Sequence, residues 1–231
     1  MNRQLALRIQ PNEEATFANY FCAQENAWLK AQLQATIDGR GERLIYLWGS
    51  YGAGKSHLLQ ACVHELSLSH PAIYLPLHLL KSSGPVVLEG LETQALLCVD
   101  DVDCIAGDPA WEEALFHLYN HVRDEGRAAL ILSGAHAPRF SPIVLPDLRS
   151  RLGGSLVLQV HELDDESKVQ NLCLQAQKRG LELPVTVAQF LVTRCARNMH
   201  DLHTLLMQLD EASWVLQRKL TIPFVKETLG L

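Results

Sequence analysis

The chain has 231 residues, with 20 Lys and Arg against 26 Asp and Glu, a formal charge of −6 when its ten His are neutral. With 48% hydrophobic and 20% charged residues, the composition excludes a disordered or fibrous chain, and the length suits one α/β domain with a smaller appendage. The acidic balance argues against a protein that holds duplex DNA by neutralising many phosphates, since that mode needs a strongly basic face.

The opening MNRQLALRIQPNEE has too short an apolar stretch for a signal sequence, and no later run approaches the roughly 18 apolar residues of a membrane span. A cytoplasmic protein without a membrane partner is expected. Residues 1–12 read as a flexible tail. From residue 13 onward, short β-branched and aromatic runs alternate with helical stretches: LIYLW at 44–48, AIYLP at 72–76, ALLCV at 95–99, AALIL at 128–132 and SLVLQV at 155–160. Such alternation predicts a largely parallel sheet covered on both faces. Asp108 is placed to cap a helix that opens with Pro109, packs through Trp111, Leu115, Leu118 and Val122, and exits at Gly126.

After residue 161 the strand-like runs stop. Helical patterns follow over 164–179, 184–197, 199–216 and 222–229, with Asp164 as a cap, Gly180 as a stop and Pro184 at the next opening. The predicted organisation is an α/β domain over 13–161 and a small all-helical domain over 162–231. The six cysteines, Cys22, Cys62, Cys98, Cys104, Cys173 and Cys195, show no CxxC and mostly sit among apolar neighbours, which favours buried thiols over bridges or zinc. The ten His include no HExxH spacing, so no zinc site is assigned. Trp48 and Trp111 read as core or interface residues.

Directly after the first strand run comes Gly49-Ser50-Tyr51-Gly52-Ala53-Gly54-Lys55-Ser56, which fits GxxxxGK[ST] and leads through His57 into a helical segment. The glycines let successive backbone N–H groups turn inward around a diphosphate, and the helix N-terminus adds partial positive charge. Lys55 is placed to reach the β- and γ-phosphates, and Ser56 to offer its hydroxyl to Mg²⁺. A metal-positioning acid is needed at a neighbouring strand end, and Ala95-Leu96-Leu97-Cys98-Val99-Asp100-Asp101 supplies two. Asp100 would hold Mg²⁺ through water, and Asp101 is placed to orient an attacking water.

Together with the helical C-terminal segment, these motifs resemble the AAA+ nucleotide-binding module, and more specifically the family of the bacterial replication initiator DnaA. The likeness covers residues 15–231. ATFANYFCAQENAWL is similar to the segment leading into the initiator's adenine pocket, and VDDVDCIAG to its acidic strand end. LPDLRSRLGG and LTIPFVKETL resemble its arginine-finger region and closing helix. The resemblance implies a three-layer αβα domain with a five-stranded parallel sheet of order 5-1-4-3-2, followed by a helical lid. It implies bound ADP or another nucleoside diphosphate, with ATP as the alternative, together with Mg²⁺. Phe17, Phe21 and Asn26 should lie near the base, although core packing accounts for the two aromatics equally well.

The initiator family carries a DNA-binding domain after the lid and a loader-binding region before the core. This chain begins almost at the core and ends with the lid, so it resembles the shorter Hda family, regulatory inactivators of the initiator. The tail residues Gln4-Leu5-Ala6-Leu7-Arg8-Ile9 are similar to the QLxLx[LF] peptide that docks on the replicative sliding clamp, with Gln4 as polar contact and Leu5, Leu7 and Ile9 as apolar anchors. In LILSGAHAP, Ala135 stands where the initiator has an acidic residue, with Ser133 and His136 as substitutes. In ARNMHDL, His200 stands where the initiator has Arg, and a mostly neutral imidazole is a weaker phosphate partner than a guanidinium. Weak intrinsic hydrolysis is expected, with diphosphate binding at least as well as triphosphate.

The same resemblance places Arg151 at the arginine-finger position, with Arg149 as the neighbouring alternative. The expected function is a nucleotide-bound adaptor that docks on the DNA-loaded clamp and promotes hydrolysis of ATP bound to DnaA, contacting DNA mainly through the clamp and leaving a homo-oligomer open. Two rivals stand beside it. One is an active AAA+ ATPase of the clamp-loader or helicase-loader type. The other is a DNA-binding or membrane-recruitment partner of the initiator that uses no finger chemistry; a groove of Arg and Lys for single strands is compatible with the net charge.

Overall fold

The computed structural model describes residues 12–91 and 93–230. Five strands, β1 (Leu44–Trp48), β2 (Ala72–Pro76), β3 (Leu96–Asp100), β4 (Ala129–Gly134) and β5 (Leu156–Gln159), form one sheet of order β2-β3-β4-β1-β5. Every pairing is parallel. This is the expected order, read from the opposite edge.

The inner strands β3 and β4 are buried at every position, as befits apolar runs covered on both faces. On one face, Tyr46, Leu97, Val99, Leu130 and Leu132 cluster with Trp111, Leu115, Leu118 and Val122 of α4 (Pro109–Glu125) and with Leu148 and Leu152 of α5 (Pro146–Gly153). On the other, α2 (Lys55–Leu66) packs against β2, β3 and β4, and α1 (Ala27–Ile37) packs on α2. The result is three layers. A short helix α3 (Leu77–Leu80) follows β2. Trp111 is a core residue, while Trp48 is half-buried at the core's margin.

The caps read from the sequence are made. Asp108 accepts the Ala110 and Trp111 N–H groups at 3.2 and 3.4 Å, Pro109 opens α4 and Gly126 closes it. The ends of β3 and β4 lie one and two residues further on than their apolar runs because pairing partners extend them, Pro76 with Asp100 and Trp48 with Gly134, while β5 loses one residue at each end. Asp100 is therefore the last residue of β3 instead of the first beyond it. Asp101 follows in the left-handed region at φ 59°.

Four further helices form a second core: α6 (Asp165–Lys178), α7 (Val185–Arg194), α8 (Met199–Leu216) and α9 (Ile222–Leu229). Leu172, Leu191, Leu202, Leu206, Leu209 and Phe224 fill it. Asp164 caps α6 through the Ser167 N–H at 2.8 Å, and Asn198 caps α8 through the Asp201 N–H at 2.9 Å. The helix expected over 184–197 stops at Arg194, with Cys195 as its C-cap.

By contacts, the chain up to Ser50 groups with Lys55–His161, and Tyr51–Gly54 group with the segment from Glu162 onward. All six cysteines are free thiols, with Cys62 and Cys98 buried and the others half-buried. Among the described residues no helix is long and apolar enough to cross a membrane.

Candidate functional site

The C-terminal ends of β1, β3 and β4 bring together the loop and the acids singled out above, at the sheet edge where open α/β folds carry their ligands. Gly49 follows β1 and donates its N–H to Gly134 O at 3.3 Å, which fastens the start of the loop to the end of β4. A Cβ on Gly49 would stand 2.5 Å from Val160 O, so only glycine fits there. Gly52 and Gly54 take φ values of 80° and 102°, a region that other L-residues rarely enter. Lys55 opens α2 and is 8% exposed; its Nζ donates to Gly49 O at 2.7 Å and Ser50 O at 2.9 Å. The loop thus curls around an ammonium group at a helix N-terminus, where the backbone N–H groups carry partial positive charge.

Opposite charge lies at the end of β3. Asp100 is fully buried, and both of its carboxylate oxygens are satisfied by hydroxyls: Tyr74 Oη donates to Oδ2 at 2.6 Å, and Ser133 Oγ donates to Oδ1. Ser133 also accepts the Asp101 N–H at 3.0 Å. The Asp101 carboxylate meets His78 Nδ1 at 3.0 Å. Burial, then the neighbouring Asp100 charge, push the Asp101 carboxyl above its ordinary range, against the pull of His78 and Lys55.

One turn further on, Asp103 accepts the Ala135 N–H, and His136 Nδ1 lies 3.7 Å from its other oxygen. The two substitutes weighed for Ala135 therefore differ in place. Ser133 is buried in the acid network, whereas the His136 side chain is 57% exposed beside Asp103.

Around this centre, Phe17 is buried with Lys30 Nζ 5.9 Å from its ring centroid, and Phe21 is half-buried. Asn26 is fully buried. Its Nδ2 donates to His161 O at 2.8 Å and its Oδ1 accepts the His161 N–H at 2.9 Å, so the amide clasps the chain leaving β5 to the start of α1. His57 Nε2 meets Thr16 O at 2.9 Å, and its ring lies 5.6 Å from Tyr20. The segment from Thr16 to Asn26 is in this way tied to the helix that follows the loop.

Within the helical unit, Tyr51 meets the exposed His200 edge to face, with ring centroids 5.3 Å apart. A Cβ on Gly52 would stand 2.8 Å from Asn198 Cβ.

Arg151 occupies the last turn of α5, half-buried, and Arg149 is exposed with Nη1 reaching Ile143 O at 3.5 Å. Among the described residues neither makes an ion pair. The clamp-peptide residues Gln4, Leu5, Leu7 and Ile9 lie outside the described residues.

Two residues of this region carried no signal in the sequence. Tyr74 reads as one more aromatic in an apolar strand, and Glu112 as an ordinary first-turn acid of a helix. Chemically, this region of the α/β unit offers one ammonium, the Ser56 hydroxyl and the Asp100 carboxylate. Those donors suit a phosphate and a hard divalent cation.

A family model described as the lid domain of Hda matches residues 165–229. Domain III of the Thermotoga maritima replication initiation protein DnaA superposes with a TM-score of 0.82 at 21% identity, covering 96% of this chain and 98% of that one. This is an AAA+ fold with a helical lid. AMPPCP-bound DnaA from Aquifex aeolicus matches with a TM-score of 0.75 at 22% identity, over 87% of this chain and 66% of that one. The Thermotoga maritima RuvB Holliday junction branch migration motor matches at 0.67 and 19% identity, over 91% and 70%.

Proposed function

We propose that this protein is a nucleotide-bound regulator of bacterial replication initiation, which supplies an arginine to the ATP site of DnaA while attached to the DNA-loaded sliding clamp. The observation that carries the reading is Arg151: a guanidinium in the last turn of α5 with no ion pair among the described residues, on the α/β unit that also carries the phosphate loop. An arginine supplied in trans stabilises charge developing on a transferring phosphoryl group. The Hda lid match over 165–229 and the likeness to DnaA domain III support the partner, and AMPPCP in a DnaA of the same fold supports an adenine nucleotide.

In this reading the chain's own residues divide the work. The loop amides and Lys55 bind the diphosphate, Ser56 and Asp100 would hold Mg²⁺, and that ion would neutralise phosphate charge when bound. Asp101 is the residue for positioning water, and Phe17, Phe21, Asn26 and His57 build the wall on the base side. His200 and Ala135 leave γ-phosphate recognition weak, so ADP is retained and the catalytic contribution goes to the partner. Gln4, Leu5, Leu7 and Ile9 provide the clamp contact, and the protein works in the cytoplasm.

The test mixes DnaA, ATP, clamp-loaded DNA and this protein, and follows phosphate release. Wild type accelerates hydrolysis, Arg151→Ala retains at most about 1% of the acceleration, and removal of residues 1–9 eliminates the clamp dependence while nucleotide binding persists. An Arg151→Ala protein as active as wild type eliminates the finger. Turnover of several ATP per minute by the protein alone replaces this reading with that of an active ATPase.

A further inference from the structure

Asp100 poses an electrostatic problem that the fold solves with neutral groups. A carboxylate at 0% exposure needs partners for its oxygens, because burying an unpaired charge is costly. In a phosphate-binding loop protein the expected help is a hydrated divalent cation held between this acid and the loop hydroxyl. Here Tyr74 and Ser133 supply one hydroxyl donor to each oxygen.

Tyr74 reaches Asp100 from the next strand. β2 and β3 run in parallel with Tyr74 opposite Cys98 and Pro76 opposite Asp100, so the long side chain lies along the strand toward the acid. A phenol is protonated at physiological pH and is therefore a donor to the carboxylate.

We propose that Tyr74 stands in for part of the divalent cation's role: its phenol O–H satisfies the buried Asp100 carboxylate from the neighbouring strand, so that a nucleoside diphosphate is held with little dependence on Mg²⁺. The inference rests on the reading of residues 49–56 as a nucleotide site and concerns how that site is balanced. A water of a hydrated ion must share Asp100 Oδ2 with the phenol or displace it. Mg²⁺ demands near-ideal octahedral geometry and usually reaches a carboxylate through such waters, so a donor already placed at 2.6 Å competes with it directly. Lys55 and the loop amides meanwhile remain to meet the phosphates. The phenol is thus a positioning group for Asp100 and a determinant of cation preference.

The experiment measures ADP affinity by titration calorimetry in Mg²⁺ and in EDTA, for wild type, Tyr74→Phe and Lys55→Ala. Wild type should lose less than about threefold in EDTA, and Tyr74→Phe should lose about tenfold or more, with Mg²⁺ restoring it. Equal cation dependence in wild type and Tyr74→Phe overturns the proposal. Lys55→Ala separates the two levels: undiminished ADP binding there shows that the nucleotide lies elsewhere, whatever Tyr74 does. Should Tyr74→Phe not fold, Mn²⁺ titrated into the wild-type ADP complex and followed by electron paramagnetic resonance decides alone. Weak Mn²⁺ binding supports the substitution of cation by phenol, and Mn²⁺ bound as tightly as the nucleotide itself rejects it.

Discussion

Glu112, in the first turn of α4, accepts the Leu145 N–H at 2.6 Å and thereby fixes where α5 begins. The same carboxylate takes the Val144 N–H at 3.0 Å and the Gly107 N–H at 2.7 Å, and the residue is 2% exposed. One buried acid thus straps the loop after the acidic strand end to the loop before the helix that carries Arg149 and Arg151. Each of its partners is a backbone donor.

Glu112→Ala should lower the unfolding free energy by about 3 kcal/mol, and Glu112→Gln, which keeps one acceptor oxygen, by about half as much. Urea titration checks the order. If α5 presents Arg151 as proposed, folded Glu112→Gln should also stimulate the initiator less than wild type while its own ADP affinity stays the same. A stimulation equal to wild type in that variant would detach the strap from the finger.

Gly52 sits at φ 80° with Asn198 closing the space where a Cβ would go, 2.8 Å from Asn198 Cβ and 2.9 Å from its Oδ1. That oxygen is the cap of α8. Gly52→Ala should therefore strain the loop and displace the cap together, at a combined cost of about 2 kcal/mol. Thermal melting should show the loss, and ADP binding should weaken with it. A variant that melts with wild type and binds ADP unchanged would mean that the loop tip adjusts freely.

Asp101 lends itself to a test by pH. Its carboxyl is raised by burial and by Asp100, so the folded protein favours the protonated form, and the charged form works against folding at neutral pH. That penalty is full above the raised folded value and gone below the unfolded carboxylate value of about 4. Asn carries no charge, keeps an acceptor for His78 and tolerates the left-handed backbone at φ 59°. Asp101→Asn should melt higher than wild type at pH 7 to 8, and the two curves should converge as the pH approaches about 4. Calorimetric scans across that range give the answer, and a gap that widened on acidification would contradict the sign.

The phosphate loop and the helix limits are legible in the chain because each rests on neighbours in sequence, whereas the sheet order is implied only by the resemblance to the initiator family. GxxxxGKS is a local backbone requirement, Asp108 and Asp164 cap helices that start at the next residue, and apolar runs of five residues mark strands buried on both faces. The Ser133 hydroxyl is committed to Asp100 and the Asn26 amide to the His161 backbone, contacts that no neighbour in sequence announces.

What only the tertiary structure decided is who satisfies the buried acids. Tyr74 and Ser133 stand 26 and 33 positions from Asp100, and Leu145 stands 33 from Glu112. Those meetings depend on parallel register and on one helix crossing a sheet. Periodicity and capping say which face of an element is apolar, but a carboxylate's partners come from neighbouring strands and loops whose alignment no short stretch of sequence encodes.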